Sequence, residues 1–258
     1  MLLAVDAGNT ETVLGVFEKD CLRAHWRLSS RSTRTADECL ILLKIWCETA
    51  GLVPSDISGM VISSVVPSWT TVFTELARSF LGITPLIVTA GIDTGLTILY
   101  ETPGSVGADR ICNAVAAYRL FGAPLVVVDF GTATTFDVVT PQCEYRGGAI
   151  ALGLMGASRE LHRISAKLPR VELRFPTHVV GRTTEESIQS GVLWGTVSMV
   201  DGMVDHIVRE MAWQDVRVVA TGGLATALAE RSERIQQVEP FLTLEGMRFI
   251  FERNSKAS

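Results

Sequence analysis

The chain of 258 residues is 47% apolar and carries a formal charge of −5. That is enough chain for one large or two medium domains around a well-filled core, and it excludes a nucleic-acid surface, because no cluster of Lys and Arg occurs. Five cysteines without CxxC spacing and four scattered histidines without an HxxxH pattern argue against a disulfide framework, a structural zinc and a histidine metal site. A reducing, cytoplasmic setting is the simplest expectation.

The first residues, MLLAV, reach Asp6 without a basic segment or a long apolar run, so no secretion signal is expected. No apolar run is long enough to cross a bilayer as a helix, and no membrane contact is expected. Residues 2–5, 12–17 and 22–28 read as three strands of an antiparallel meander. Residues 35–51 carry Cys39, Leu40, Leu43, Trp46 and Cys47 at spacings of three and four, which predicts a helix stopped by Gly51. Residues 60–66 form a buried strand ending before Pro67, residues 69–81 a helix closed by Gly82, and residues 86–89 a short strand. Residues 108–121 place Ile111, Val115 and Tyr118 on one side of a helix that Gly122 and Pro124 end. The boundary is expected near 118–124, giving an N-terminal lobe of residues 1–120 and a C-terminal lobe of residues 121–258.

The pattern then restarts. Residues 125–129, 135–139 and 145–150 read as strands, with a turn at Pro141-Gln142, and residues 154–168 as a helix. Thr183-Thr184-Glu185-Glu186 has the form of a capping box and opens a long helix bearing Ile188, Val192, Val197, Val200, Val204, Ile207 and Met211. Residues 216–220 form a strand running into Thr221-Gly222-Gly223, and the tail after Arg253 is expected to fray. Each half is a mixed α/β lobe.

The sharpest signal is a repeat. VDAGNTETVLGV at 5–16 and VDFGTATTFDVV at 128–139 match without gaps at Val5/Val128, Asp6/Asp129, Gly8/Gly131, Thr12/Thr135 and Val16/Val139, an offset of 123 positions. A plain β-turn accounts for either copy alone. Two copies predict two related lobes facing one cleft. Such turns set backbone N–H groups and hydroxyls around an anion, and their aspartates make sense beside a phosphate only with a cation between them. No lysine follows a glycine, so there is no Walker A loop, and no GxGxxG occurs. Asp129-Phe130-Gly131 spells the protein-kinase DFG, but no glycine-rich loop or HRD segment accompanies it.

DAGNT at 6–10, GADR at 107–110 preceded by Tyr100-Glu101-Thr102-Pro103, DFGTATTFD at 129–137, RGGAI at 146–150 and TGG at 221–223 together resemble type III pantothenate kinase over nearly the whole chain. That family belongs to the acetate kinase, sugar kinase, heat-shock chaperone ATPase and actin superfamily. The resemblance implies an α/β fold of two duplicated ribonuclease-H-like (actin-like ATPase) lobes around a central nucleotide cleft. It implies ATP-dependent phosphorylation of the primary hydroxyl of pantothenate to 4′-phosphopantothenate, the first step of coenzyme A biosynthesis, by a cytoplasmic homodimer.

By the same resemblance, Asp6, Ala7, Gly8, Asn9, Thr10, Glu11, Thr12 and Val13 wrap the ATP phosphates, Thr132 touches them, and Gly222 and Gly223 lie near the adenosine. Asp6 is matched to Mg²⁺, through water, and Asp129 to a potassium or ammonium ion. Tyr100, Gly107, Ala108, Asp109, Arg110 and Thr184 are matched to the pantothenate pocket, with Asp109 as proton acceptor. The residues themselves leave alternatives open: Asp109 as the N-cap of the following helix, Arg110 in a surface ion pair, Thr184 as a capping hydroxyl. Gly191 and Gly195 on the long helix suit either a core helix or a close helix contact between subunits. Two departures bear on nucleotide affinity. Leu152-Gly153 stands where family members usually show Pro-Gly, and Glu11 adds a negative charge beside the phosphates unless it points away. Two other readings fit the pattern, a kinase for another small hydroxy acid and an ATP-binding switch that transfers no phosphate.

Overall fold

The computed structural model describes residues 1–165 and 167–255. The chain divides into two compact units, Met1–Leu120 together with the described residues from Leu242 onward, and Phe121–Phe241.

The first unit opens with the expected meander, β1 (Leu2–Ala7), β2 (Glu11–Glu18) and β3 (Cys21–Ser29), followed by α1 (Ala36–Thr49), β4 (Gly59–Ser64), α2 (Pro67–Phe80), β5 (Leu86–Ile87), β6 (Thr97–Ile98) and α3 (Ala108–Phe121). Its five-stranded sheet has the order β3-β2-β1-β4-β5, antiparallel through the meander and parallel from β1 to β5. Helix α1 starts where the sequence offers a reciprocal cap. Thr35 accepts from the Glu38 amide, and the Glu38 carboxylate accepts from the Thr35 amide at 2.8 Å. Gly51 and Gly82, both near φ +68°, turn the chain out of α1 and α2. Leu3, Val5, Ala7, Leu14 and Val16 pack with Cys39, Leu43 and Cys47 of α1 and Trp69, Phe73 and Leu76 of α2.

The second unit repeats this plan: β7 (Leu125–Phe130), β8 (Ala133–Val139), β9 (Glu144–Leu152), α4 (Leu154–Ile164), α5 (Thr184–Glu210), β10 (Arg217–Gly222), α6 (Ala225–Ala229) and β11 (Gln237–Val238). These strands run β11-β10-β7-β8-β9, with β7, β10 and β11 parallel and β8 and β9 antiparallel. β1 and β7 share one burial pattern, five buried positions interrupted by a half-buried aspartate, Asp6 or Asp129. The duplication is therefore architectural.

The gapless alignment slips inside the turn, however. Asp6 pairs with Val13 across its hairpin and Asp129 with Thr135, so the second turn is one residue shorter. Thr12 corresponds to Thr134 rather than to Thr135, and both are fully buried. Because side chains alternate along a strand, one residue of slip exchanges the two faces, and burial decides the pairing.

Three boundaries differ from the sequence expectation. Helix α4 ends at Ile164, where Ser165 takes an extended backbone (φ −141°, ψ 116°), and Ala166 of the expected longer helix lies outside the described residues. The last helix, α7 (Leu242–Ser255), includes residues expected to fray, and the rest of that tail lies outside the described residues. This helix also sits with the first unit although sequence order puts it with the second lobe. It packs on β1 and β4, on the sheet face opposite α1 and α2. Gly15 and Gly59 supply the room: a methyl group on Gly15 would lie 2.7 Å from Leu244, and one on Gly59 2.5 Å from Phe251. Arg248, only 7% exposed, ion-pairs with Glu245 and Glu252 at 2.7 Å each and covers the rings of Phe17 and Phe249. Its burial is tolerable because both carboxylates travel with it on the same helix.

Candidate active site

In the first unit the β1–β2 turn is tight and braced. The Gly8 amide donates to the Glu11 carbonyl at 3.1 Å, and a side chain on Gly8 would crowd that same oxygen at 3.1 Å. The Ser30 amide donates to the Thr10 carbonyl at 2.9 Å, the Thr12 and Ser30 hydroxyls are 2.8 Å apart, and the Trp69 indole N–H donates to the Ser30 carbonyl. Ala7 and Thr12 are buried while Asn9 and Glu11 face solvent. Glu11 points along the sheet to Arg27, 3.1 Å away, which offsets its charge. Asp6, half-buried at the end of β1, accepts a hydrogen bond from the Ser63 hydroxyl at 2.9 Å.

The GADR segment enters α3 by way of a single 3₁₀ turn, Pro103–Ser105. Asp109 lies in the first turn of α3 and is half-buried, and its Oδ1 accepts from the Arg110 amide at 2.8 Å. A methyl group on Gly107 would sit 2.4 Å from that oxygen, so a glycine is needed for the carboxylate to fold back over the helix start. The helix begins at Ala108, which makes Asp109 a first-turn residue and not the cap. Arg110 is 8% exposed, which removes the surface ion-pair reading. Tyr100 is exposed, upstream of this segment.

Between the 88–91 and 103–108 segments lies a cavity of about 550 Å³, floored by Ser64 and Val65 and bordered by Gly107 and Ala108. Within α3, Cys112 is fully buried. Burial first, and then the negative charges of Asp6 and Asp109, push its thiol well above the usual cysteine range. Asp6 and Asp109 thus both bear on one buried group of the first unit, and Ser63 is tied to Asp6 through its hydroxyl.

In the second unit Asp129 is half-buried at the end of β7, and Thr132 is exposed at the turn tip. Gly222 passes directly over that aspartate. With φ +96°, a methyl group there would lie 2.6 Å from the Phe130 carbonyl and 2.9 Å from Asp129 Oδ1. Gly223 follows, exposed. Gly153, in the Leu152-Gly153 pair, touches the same turn: its missing side chain would collide with the Thr132 carbonyl at 2.4 Å. This close approach requires glycine whatever precedes it. At α5 the cap hydroxyl belongs to Thr183, which accepts from the Glu186 amide at 3.1 Å, while the Glu186 carboxylate turns to the Arg182 amide. Thr184 is therefore the first helical residue, exposed and not the cap.

Among the described residues no group of three or more His, Cys, Asp or Glu side chains is arranged to hold a metal. Mg²⁺ keeps its waters and takes most other ligands from phosphate, needing one or two carboxylates. Asp6 offers one, beside a turn in which a side chain on Gly8 would crowd the Glu11 carbonyl. Ser63 is a site residue that sequence reasoning missed, and Gly153, noted there only for departing from Pro-Gly, gains a contact with the Thr132 turn. The signal for Ser63 was a polar residue at the buried end of an apolar strand, and for Gly153 a glycine just past a strand.

Residues 2–206 match the family described as type III pantothenate kinase. A type III pantothenate kinase of Anaeromyxobacter sp. (strain Fw109-5) is 47% identical over 98% of this chain and 100% of its own. One of Myxococcus xanthus (strain DK1622) is 47% identical over 98% of this chain and 99% of its own. Among solved structures, the ROK hexokinase of Thermus thermophilus superposes with a TM-score of 0.56 at 12% identity, covering 100% of this chain and 99% of that one. That likeness bears on the fold alone, which is of the actin-like ATPase class. With a family match over most of its length and relatives nearly half identical from end to end, the chain belongs to the type III pantothenate kinase family.

Proposed function

We propose that the chain transfers the γ-phosphoryl group of ATP to the primary hydroxyl of pantothenate, giving 4′-phosphopantothenate, and so opens coenzyme A biosynthesis in the cytoplasm. The observation that carries this reading within the first unit is the seat of Asp109 in the first turn of α3, directly after Gly107 and Ala108, which border the cavity. In this reading Asp109 receives the hydroxyl proton and aims the oxygen in line with phosphorus. The transition state of such transfers is loose, so orientation counts for more than base strength. Arg110 and Tyr100 help hold the acceptor with Gly107 and Ala108, and Thr184 is assigned to pantothenate by the family resemblance.

Residues 6–13 and Thr132 are assigned to the phosphates, Gly222 and Gly223 to the adenosine side, and Asp6 to Mg²⁺ through water. Bound Mg²⁺ neutralises phosphate charge. Asp129 is assigned to potassium or ammonium, held under the backbone of Gly222. A coupled ADP-release assay tests these assignments separately. ADP release is expected to require pantothenate and to fall when sodium replaces potassium. Pantothenate-independent release overturns the acceptor, and indifference to the monovalent ion overturns only the role of Asp129.

The dimer is assigned to the face of α4 and α5. Gly191 and Gly195 have open space where side chains would stand, and with Leu152, Ala157 and Ile164 they border an apolar groove of about 360 Å³. Ile164 is 64% exposed there, and Met155, also on α4, is 57% exposed. Ile164→Glu is expected to give a monomer in analytical ultracentrifugation. A dimer of unchanged affinity would place the contact elsewhere.

A further inference from the structure

Strand β4 reads Gly59-Met60-Val61-Ile62-Ser63-Ser64, and its first five residues are buried. A hydroxyl at the fifth position is costly in such a strand unless it is hydrogen-bonded. Ser63 is fully buried, stands beside Asp6 in the parallel β1–β4 register, and donates to Asp6 Oδ1 at 2.9 Å. Val5 and Ile62, the neighbouring pair in that register, are both apolar. The two units offer an internal comparison. Thr221, 3% exposed, stands beside Asp129 in the parallel β7–β10 register, so each unit sets a buried hydroxyl residue beside the aspartate that ends its first strand. A core position with no task toward that acid would be filled by another Val or Ala.

We propose that Ser63 is a positioning residue for Asp6: its buried hydroxyl fixes the plane of the carboxylate assigned to the Mg²⁺-bound triphosphate. The inference rests on the kinase reading for the role of Asp6 and goes beyond it in naming what holds that side chain. A hydrogen bond to a carboxylate is stronger than one between neutral groups, and it both selects one rotamer and favours the charged form. The buried Cys112 thiol lies against the same hydroxyl. Its proton is held tightly there, so it brings no further negative charge to Asp6.

The test is binding of a non-hydrolysable ATP analogue by calorimetry across a Mg²⁺ titration. Ser63→Ala is expected to raise the Mg²⁺ needed for half-maximal binding about tenfold, while binding without Mg²⁺ changes by less than about twofold. Ser63→Thr, which keeps the hydroxyl and copies its counterpart in the second unit, is expected to restore the native requirement. Ser63→Cys keeps the volume with a weaker donor and is expected to behave like Ser63→Ala, which separates positioning from packing. In an Asp6→Asn background, Ser63→Ala is expected to add nothing. An unchanged Mg²⁺ requirement in both Ser63→Ala and Ser63→Cys, or an equal shift in the Asp6→Asn background, overturns the proposal. Neither readout involves pantothenate, so failure of the acceptor assignment would leave both results standing.

Discussion

Asp109→Asn is expected to lower pantothenate-dependent ADP release by about 10²–10⁴-fold, the usual worth of a positioned proton acceptor. The exchange changes chemistry with little change in shape. An asparagine carbonyl can still accept from the Arg110 amide as Oδ1 does now at 2.8 Å, so the start of α3 keeps its local bond. What disappears is the negative charge that orients the acceptor hydroxyl and takes its proton late in a loose transition state. Nucleotide affinity is expected to stay near native, because the phosphates are assigned to residues 6–13. The loss should fall on kcat, measured at saturating pantothenate and ATP. Full activity in the variant would remove Asp109 from the reaction and favour a switch that binds ATP without transferring it.

The second large effect is expected far along the sequence, at Gly246. In α7 this residue lies against α3 so closely that a methyl group would stand 1.9 Å from the Cys112 carbonyl oxygen. Backbone cannot swing aside as a side-chain end can, so Gly246→Ala must separate the two helices. The same contact carries the 2.7 Å hydrogen bond from the Thr243 hydroxyl to the buried Asn113. Overpacking of this kind costs about 3 kcal/mol, equivalent to a fall of about 6–12 °C in Tm for a chain of this size. Calorimetry of the variant measures it directly. Since α3 also carries Asp109, activity is expected to fall at temperatures where the variant is still folded. A Tm within about 2 °C of native would mean that α7 is not seated on α3 as described.

Much of the architecture was legible because its signals are local. The apolar run in residues 12–17 and the alternation in residues 22–28 mark strands whatever they pair with, and the Thr183/Glu186 cap of α5 lies within four residues of chain. The GADR and DAGNT segments were legible for another reason, since backbone close to a ligand or a carboxylate demands glycine at fixed places. Gly107, against the Asp109 carboxylate, is such a position. The two-residue strands β6 and β11 are too short to show a period.

The amino-acid sequence by itself determined the longer strands of both units and every long helix but α7, the duplication of their plan, and the residue types an ATP-dependent kinase needs. Tertiary structure alone decided the rest. It set the hairpin pairing that matches Thr12 with Thr134, because only burial tells one face of a strand from the other. It returned α7 to the first unit, because only packing could match Leu244 and Phe251 to the space over Gly15 and Gly59. It also brought Ser63 to Asp6 across 57 positions of chain. Such pairings depend on which strands become neighbours, and nothing local in the chain encodes that.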